Sequence, residues 1–597
     1  MSEKILGLYV GPHGASAALL VDGEPVRAVQ LERLLGIKHA WVVGKHNRDF
    51  ARRRVRHDFQ EDLLPLEAAF PRLLDHVCQP YRLQDIDLVA LEKKNMVNCP
   101  AETGVVDPGN ELNELFAGQR IVWVEHHQGH QAQAFFASPF EEAVIATVDG
   151  RSWGDVERLG DTVSLTLARG AGNRIETFFE TNYSLTSLYD RLSILLFGTR
   201  YCEGKTMGLA AYWETEGFGP HEVQAARRFE EQWLAHLDHE PPVAEKLRFL
   251  DRSGRAGDGL PGYAKNVLTM EGLGPVPRDR QPDRVHRQAA YLCQRYYEAD
   301  LYRVLRFAHE AGGTGRLCLA GGGGLNSVSN GKITALTGFE RVFVFPNCGD
   351  EGLSLGFALW AHHVERNRPR SWSLTCDALG HAYSREQIDR ALASFGTAIV
   401  VSDWGADIHQ HTAQWLAAGK IVALFQGRSE FGPRALGHRS ILTHPGLPGM
   451  KDTLNRRVKF REPWRPFAPS VLAECAGDWF EIDQPSPFML LVAPVKAAKR
   501  ALVPAICHVD GSARLQTVDA RHEPYYHGLI TAFHRLTGLP LVLDTSFNVQ
   551  GQPIVETPHQ AIESFLATRI DVLVMETLVV ERQTPEKEEK TSPTDAR

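Results

Sequence analysis

The chain has 597 residues, 43% hydrophobic and 23% charged, which is typical of a folded, water-soluble protein with two or more domains. No run approaches the roughly 20 apolar residues that span a bilayer, and the N-terminus lacks the pattern of a signal peptide, so we expect a cytoplasmic protein. A net charge of −8 argues against a general nucleic-acid binder, and nine cysteines without a C-x-x-C pair do not indicate a zinc ribbon or a disulfide framework.

The chain opens with three apolar stretches separated by turns. They are Ile5–Val10, Ser16–Val21 and Pro25–Gln30. Asp22-Gly23 lies between the last two and is typical of a hairpin turn. A second opening of this kind begins at Ala143–Val148, ends in Asp149-Gly150 and leads towards Thr162–Ala168. The two openings predict a duplicated α/β unit.

The rest of the chain contains a long helical pattern, a boundary and a polar tail. Ala289–Ala311 predicts the helix, and a Pro-containing basic stretch at Asn367–Trp372 indicates the boundary. We therefore expect one domain over residues 1–366, a second over residues 374–583 and a disordered tail over residues 584–597. The basic run Arg52–His57 is interpreted as a solvated helix face, with a phosphate-binding patch as the alternative.

The segment Glu125–His130 carries a candidate metal site. His126 and His130 are four residues apart, so on a helix they lie on one face and can hold one ion. A metalloprotease is disfavoured because His127 stands where the general-base glutamate would be; a structural histidine pair is the other alternative. Asp149 and Asp350 each follow a predicted strand, and two imidazoles with carboxylates suit Fe(II), Mn(II) or Zn(II).

Glycine-rich turns predict a place for a nucleotide. The run at Leu319–Asn326 follows a predicted strand, where glycines let the backbone approach a ligand closely. Gly-bearing polar turns also occur at Asp149–Ser152 and Glu203–Gly208. Lys205 in the last of these could meet a phosphate or a carboxylate, with a surface lysine as the alternative.

Cations gather in Gly- and Pro-framed loops of the second half. These loops are Gly427–Ser440, Lys459–Phe467, His508–Gln516 and Asp544–Asn548. In an acidic protein this indicates an enclosed site for phosphates or another small anion. A surface salt-bridge network is the alternative, and a groove for single-stranded nucleic acid fits less well.

These motifs, in this order, resemble those of the nodulation and antibiotic O-carbamoyltransferases from about Ile5 to Val580. The segments that carry the resemblance are Glu125–His130, Gly204–Tyr212, Leu317–Asn326, Gly349–Gly356, Glu430–Leu442, Arg461–Val471, His508–Val518 and Thr545–Pro558. The resemblance implies an α/β protein in two parts. A duplicated TsaD-like domain of the actin, sugar-kinase and Hsp70 type comes first, and a YrdC-like α/β domain follows.

The resemblance also implies a two-step, ATP-dependent reaction. Carbamoyl phosphate and ATP give a carbamoyl adenylate, and the carbamoyl group then passes to a hydroxyl of a natural product or sugar. The residues expected to line the adenylate-forming pocket are Arg434, Lys459, Arg465, Arg514, Ser546 and Asn548. Those expected to hold the nucleotide in the first domain are Lys38, Gly150, Arg151, Glu203, Lys205, Gly322 and Asn326. His13 is the expected base for the acceptor, and Arg434, Lys459 and Arg514 are the other expected catalytic residues.

The metal ligands implied by the resemblance are His126, His130, Asp149 and Asp350, with Fe(II) the favoured ion and Mg²⁺ accompanying ATP. The chain departs from the family at Gly14, where Asp is usual, at His438, and at Asp544, where Asn is common. An acid at position 544 is expected to weaken anion binding unless it is paired. The unmatched segment Trp41–Asp58 could take part in acceptor recognition.

Two other functions remain as alternatives: a tRNA threonylcarbamoyl-modifying enzyme and a non-catalytic nucleotide-binding protein. We expect carbamoyl phosphate, ATP and a hydroxylated small molecule as partners, and neither nucleic acid nor a membrane. The sequence leaves open the acceptor, the carbamoylated position, the native metal and the oligomeric state.

Overall fold

The computed structural model describes residues 2–11, 14–38, 40–43, 63–93, 112, 115–150, 163–181, 183–199, 201–215, 267–277 and 281–583. The described chain is a mixed α/β protein with three large sheets and one two-stranded ribbon. Its helices are α1 (Leu31–Leu35), α2 (Leu66–Cys78), α3 (His126–Ala137), α4 (Ser187–Phe197), α5 (Glu203–Ala210), α6 (Tyr212–Thr215), α7 (Arg284–Gly312), α8 (Ser327–Asn330), α9 (Ile333–Thr337), α10 (Leu353–Trp360), α11 (Arg385–Ala393), α12 (Ile408–Ala417), α13 (Met450–Leu454), α14 (Ala476–Trp479), α15 (Ala497–Arg500), α16 (Pro524–Thr537) and α17 (Pro558–Ala567).

The first large sheet starts with the predicted N-terminal hairpins. Its strands are β1 (Lys4–Gly11), β2 (Gly14–Val21), β3 (Glu24–Gln30), β6 (Leu88–Glu92) and β7 (Ile121–Val124), with β4 (Trp41–Val43) and β5 (Leu63–Pro65) forming the separate ribbon. In the order β3-β2-β1-β6-β7, β1 pairs antiparallel with β2 and parallel with β6. The predicted hairpin turn at Asp22-Gly23 is confirmed.

The second sheet repeats this topology. Its strands are β8 (Glu142–Val148), β9 (Leu165–Ala171), β10 (Arg174–Thr181), β11 (Arg316–Ala320) and β12 (Arg341–Val344). They lie in the order β10-β9-β8-β11-β12, with β8 antiparallel to β9 and parallel to β11. The repeated order and strand directions confirm the duplicated α/β unit predicted from the two openings.

Helices α3 and α10 pack closely, which sets the two halves of the repeat against each other. A Cβ on Gly356 of α10 would lie only 2.2 Å from the carbonyl oxygen of Gly129 in α3. A Cβ on Gly7 of β1 would lie 1.9 Å from the carbonyl oxygen of Ser354. Because neither contact leaves room for a side chain, α3 is held beside the loop that precedes α10.

The third sheet has nine strands and lies in the second half of the chain. Its strands are β13 (Ile399–Asp403), β14 (Val422–Phe425), β15 (Arg439–Thr443), β16 (Ala468–Leu472), β17 (Leu491–Pro494), β18 (Ser512–Val518), β19 (Leu541–Ser546), β20 (Val572–Met575) and β21 (Leu578–Arg582). They lie in the order β13-β21-β20-β14-β15-β19-β16-β18-β17. Apolar residues are buried on both faces: α12 and α16 contribute to one cluster, and α11 and α17 to the other.

Direct contacts join the third sheet to the first two. The guanidinium of Arg33 in α1 donates to the carbonyl oxygens of Glu430 and Gly432. Lys205 of α5 pairs with Glu462 at 2.7 Å, and the imidazole Nε2 of His508 lies 2.9 Å from the carbonyl oxygen of Gly208. The two halves of the chain therefore meet where the predicted anion-binding loops are.

Some sequence predictions fall on residues outside the described ranges. These are the basic run Arg52–His57, the polar tail over residues 584–597, and all of Trp41–Asp58 beyond β4. Among the helices that the structure describes, none combines the length and the hydropathy needed to cross a membrane.

Candidate functional site

The four predicted metal ligands come together at the junction of the two repeats. His126 and His130 lie on α3, Asp149 follows β8, and Asp350 lies in the turn before α10. Asp149 Oδ2 is 3.1 Å from His126 Nε2 and 3.8 Å from His130 Nε2. Asp350 Oδ1 is 3.7 and 3.5 Å from the same two nitrogens. Two nitrogens and two carboxylate oxygens thus face a common point, and these four side chains are called here the four-ligand cluster.

The surroundings of this cluster fit a bound cation. The Nε2 atom of His130 is buried and has no hydrogen-bond partner among the described residues. Glu92 Oε1 lies 2.9 Å from His126 Nδ1, and the Tyr9 hydroxyl donates to Asp350 Oδ2 at 2.9 Å. Such outer partners orient metal ligands and set their charge. The donor set suits a divalent transition metal.

Charge coupling within the cluster is strong. Burial alone would lower the pKa of His126, but contacts with Asp149 and Glu92 and the charge of Asp350 raise it well above its usual value. Burial opposes ionisation of Asp149, yet His126 and His130 hold the pKa of that carboxyl far below its usual range. The neighbouring His127 stays neutral, because burial and the charge of His126 lower its pKa to about 3.

The predicted nucleotide loop lies against the same aspartate. The backbone N–H of Gly322 donates to Asp149 Oδ1 at 3.1 Å. Gly321 has φ +83°, and a Cβ there would lie 2.3 Å from the carbonyl oxygen of Val148. Gly150 directly follows Asp149. Asn326 caps α8 by accepting from the backbone N–H of Ser329 at 3.1 Å, and it also donates to Gln294 at 3.0 Å.

A cluster of cations, called here the cation cluster, lies between the third sheet and α5. It consists of Lys38, Lys205, Arg434, Lys459, Arg461, Arg465 and Arg514. Burial, followed by the charge of neighbouring arginines, lowers the pKa of Lys459 and Arg514 well below their usual values. The Nε atoms of Arg434 and Arg514 are buried without a hydrogen-bond partner among the described residues. Buried like charges with unused donors are the signature of a site for an anion.

The predicted turn after β19 lines this cluster. Lys459 Nζ donates to the carbonyl oxygens of Ser546 and Asn548 at 2.7 and 2.9 Å and lies 2.6 Å from Asn548 Oδ1. The ammonium therefore fixes the turn as well as adding charge. Arg461 stacks on the ring of Phe467 at 4.4 Å. Arg461 lies within the predicted cationic loop Lys459–Phe467 but was not among the predicted site residues.

Lys38 and Lys205 were predicted to serve the nucleotide in the first domain, and the structure places them with the loops of the second half. Burial, with the charges of Arg465 and Lys205 in addition, lowers the pKa of Lys38. Lys205 is paired with Glu462 and lies over the ring of Phe197 at 5.1 Å. Glu203 begins α5, the same helix.

Asp544, one of the departures, lies close enough to the cation cluster for its charge to act on Lys459 and Arg514, and only one of its two carboxylate oxygens is paired among the described residues. Its carboxylate accepts from the hydroxyls of Tyr526 at 2.9 Å and Ser470 at 3.1 Å. Burial raises its pKa to about 7. The carboxyl is therefore partly protonated at neutral pH, which reduces the repulsion that an acid at this position was expected to cause.

In the Arg-rich loop between β14 and β15, some residues stabilise the loop and another belongs to the cation cluster. Glu430 Oε1 accepts from the backbone N–H groups of Leu436, His438 and Arg439 at 2.7, 3.1 and 3.2 Å. Arg439 stacks on Phe425 and donates to backbone carbonyls, so it is structural. Arg434 belongs to the cation cluster, and burial lowers its pKa to about 10.

Two predicted site residues, His13 and Arg151, lie outside the described residues. Next to His13, Gly14 has φ +144°, and a Cβ there would come 3.3 Å from Cγ of Glu351. Both facts favour glycine over the aspartate usual in the family. Burial and the charges of Glu32 and Asp350 raise the pKa of Glu351 to about 8, which puts a protonatable carboxyl beside this loop.

Sequence reasoning missed Glu92 and Tyr9, the two groups that contact the candidate metal ligands His126 and Asp350. Each lies on a buried strand of the first sheet, at positions where the pattern predicts only core residues. A glutamate at the end of an apolar strand was the available signal for Glu92. Tyr9 had none, because a tyrosine in a strand is an ordinary core residue.

Comparison with known proteins identifies the family. A model described as the carbamoyltransferase N-terminus matches residues 276–359, and one described as the carbamoyltransferase C-terminus matches residues 413–582. Nodulation protein NolNO of Sinorhizobium fredii is 34% identical, covering 97% of this chain and 80% of that protein. The chain belongs to the carbamoyltransferase family.

Other relatives extend the likeness. Nodulation protein NolO of Bradyrhizobium diazoefficiens is 35% identical over 77% of this chain and 79% of that protein. The uncharacterized protein sll1178 of Synechocystis is 32% identical over 98% of each chain. The protein is thus a carbamoyltransferase, and the cation cluster and the four-ligand cluster are features of a carbamoyltransferase structure.

Proposed function

We propose that this carbamoyltransferase converts carbamoyl phosphate and ATP to carbamoyl adenylate and transfers the carbamoyl group to a hydroxyl of a small molecule, such as a natural product or sugar. The observation that carries the proposal is the cation cluster, in which the Nε atoms of Arg434 and Arg514 are buried without a hydrogen-bond partner among the described residues. Phosphate groups are the ligands that such arginine forks bind best.

The first step belongs to the cation cluster. Water displaces phosphate from carbamoyl phosphate to give carbamate, whose oxygen then attacks the α-phosphorus of ATP as pyrophosphate leaves. Arg434, Arg514 and Lys459 would hold the phosphate oxygens and stabilise the charge that develops on them. The buried site excludes bulk water from the carbamate and the adenylate.

The second step belongs to the four-ligand cluster. A divalent metal held by His126, His130, Asp149 and Asp350 would supply Lewis acidity at the carbamoyl oxygen. The acceptor hydroxyl attacks the carbamoyl carbon, gives up its proton to a base for which His13 is our candidate, and AMP leaves. The glycine-rich loop at Gly322, which lies beside Asp149, is our candidate for holding the nucleotide phosphate.

A short chain of contacts supports cooperation between the two clusters. Gln133 Nε2 lies 3.0 Å from His130 Nδ1 and donates to the carbonyl oxygen of Cys348 at 3.2 Å. Burial raises the pKa of the Cys348 thiol to about 12, and the charge of Arg434 acts on the same thiol in the opposite direction. The charges of Arg434 and Asp149 both act on the Cys348 thiol, so this residue lies near both clusters.

The domain assignment follows from this division of labour. We propose that residues 1–366 form the transfer domain, with the TsaD-like fold of actin and sugar kinases. Residues 374–583 would form a YrdC-like domain that makes the adenylate. Lys38 and Lys205 then act across the boundary, because they belong to the first domain and lie in the cation cluster.

The test is to incubate the full chain with ATP, carbamoyl phosphate and Fe(II) and to measure AMP, pyrophosphate and carbamoylated product. Pyrophosphate should form only when both substrates are present, and a pool of hydroxylated metabolites should raise the release of AMP. Carbamoylation from carbamoyl phosphate with ATP left intact would rule out the adenylate and leave the carbamoyltransferase assignment standing.

A further inference from the structure

A second cluster of metal-ligating side chains lies away from the site described above. Cys376 comes from the segment that joins the two halves of the chain, His438 from the Arg-rich loop, and Glu523 from the residue before α16. One ligand atom from each of the three lies within 4.8 Å of the others. Their sequence separation means that only the fold brings them together.

The contacts of His438 indicate a proton or a metal ion between its ring and the carboxylate of Glu523. Its Nδ1 lies 3.3 Å from the carbonyl oxygen of Gln426, an acceptor, so Nδ1 carries the proton. In a neutral ring Nε2 then has a lone pair, and that atom lies 3.0 Å from Glu523 Oε2. Two acceptors at hydrogen-bond distance repel each other unless a proton or a metal ion joins them.

Two further observations favour a metal over a proton. The third group is a thiol, and thiolate with imidazole and carboxylate is a donor set that Zn²⁺ binds. In addition, Asp377 is 2% exposed, and neither of its carboxylate oxygens has a hydrogen-bond partner among the described residues. Asp377 lines the same small cavity as Cys376 and Glu523. A buried carboxylate without donors is costly unless a positive charge lies near it.

We propose that Cys376, His438 and Glu523 form a zinc site, with Asp377 beside it as a further oxygen donor or charge partner. The ion ties the connecting segment to the Arg-rich loop and to the start of α16. Since His438 lies in the same loop as Arg434, the ion stabilises the loop that supplies the cation cluster. This site is independent of the His126–Asp350 cluster in every ligand.

The test uses the full chain carrying His126→Ala and His130→Ala, which removes the nitrogen ligands of the other cluster. After treatment with a chelator and dialysis against buffered Zn²⁺ alone, this background should bind about one zinc ion per chain. Adding Cys376→Ser should weaken zinc binding by at least about 100-fold, at or beyond the upper end of what loss of an outer-shell partner costs. Adding Cys507→Ser, a partly buried thiol outside the cluster, should change nothing.

Cobalt gives a second measurement that does not depend on the folding of Cys376→Ser. The background protein loaded with Co²⁺ should show the near-ultraviolet charge-transfer band of a thiolate–cobalt bond, and Cys507→Ser should keep it. Absence of this band, absence of bound zinc, or equal zinc affinity in Cys376→Ser would overturn the proposal. The cluster would then be a His438–Glu523 ion pair joined by a proton.

Discussion

Glu92 is not one of the four candidate metal ligands, but it orients one of them, His126. Its carboxylate lies 2.9 Å from His126 Nδ1, so it fixes the ring with Nε2 towards Asp149. Glu92→Gln keeps the shape but removes the charge, and we expect metal affinity to fall by about 10- to 100-fold. Titration of the chelator-treated protein with Mn²⁺ measures this.

The matched control for that substitution is Glu125→Gln. Glu125 is close in sequence to His126, but its carboxylate pairs with the exposed Lys93 at 2.9 Å. The Glu125→Gln variant should bind the metal with the same affinity as the unmodified protein. Equal losses of metal affinity in the two variants would mean that Glu92 acts only by adding negative charge to the region, and not through its contact with His126.

Asp544 makes a prediction about pH. Its pKa is raised to about 7 in the folded protein, against about 3.9 in an unfolded chain. The folded state therefore holds the proton more tightly, and this residue lowers the free energy of unfolding progressively as pH rises from about 4 to about 7. Asp544→Asn removes the penalty, which is at most about 4 kcal/mol.

Urea denaturation at two pH values measures the effect of Asp544→Asn. The variant should gain stability over the unmodified protein at pH 8 and little or nothing at pH 4. A difference that is the same at both pH values would contradict the raised pKa. Tyr526→Phe, which removes a hydroxyl donor that lowers the pKa of the Asp544 carboxyl, should extend the pH dependence to higher pH.

Individual residues were predictable from sequence where their spacing is local. His126 and His130 are one helical turn apart, Asp149 directly follows β8, and Asp350 lies in the Gly-bearing turn after β12, so short patterns contain all four. Glu92 and Tyr9 act through contacts that only the fold creates. Lys38 and Lys205 were predicted to hold the nucleotide of the first domain. Their neighbours in space come from the second half of the chain, and local sequence does not reveal such neighbours.

At the level of elements, the parallel pairing of β8 and β11 places Asp149 of the four-ligand cluster beside the glycine-rich loop. Gly321 follows β11 with φ +83°, and a Cβ there would overlap the carbonyl of Val148 at 2.3 Å. Gly321→Ala should separate Asp149 from the Gly322 loop, lowering both stability and transfer activity. Gly313→Ala is the control, because Gly313 has φ +68° but no neighbour within 4 Å of a Cβ.

The control separates two effects. A left-handed alanine costs about 1 kcal/mol in both variants, whereas only Gly321→Ala adds the overlap with Val148. Urea denaturation should therefore show a larger loss for Gly321→Ala, and transfer activity should fall in that variant alone. Equal stability and equal activity would show that the close approach of the two strands does not matter.

Elements with a strong local pattern were predicted well. The three N-terminal strands, the second hairpin and the long helix α7 (Arg284–Gly312) lie where alternation and turn residues placed them. The order of the nine-stranded sheet was not predictable in this way. There β14 pairs with β20, which is far along the chain, and no local pattern specifies such a partner.

Across the whole molecule, the four-ligand cluster comes from the first half of the chain, whereas the cation cluster draws on both halves. Arg33 donates to the Arg-rich loop and Lys205 pairs with Glu462, so first-half residues contact the loops of the second half. Under the proposed function, the adenylate made at the cation cluster is passed on to the four-ligand cluster. If the two clusters catalyse different steps, a substitution in one cluster should abolish one step and leave the other.

The most direct measurement is the exchange of labelled pyrophosphate into ATP, with carbamoyl phosphate present, in His130→Ala and Arg434→Ala. We predict that His130→Ala keeps this exchange within a few-fold and loses carbamoyl transfer. Arg434→Ala should lose the exchange itself by at least about 100-fold. Equal losses of exchange and transfer in both variants would contradict the division of the reaction between the two clusters.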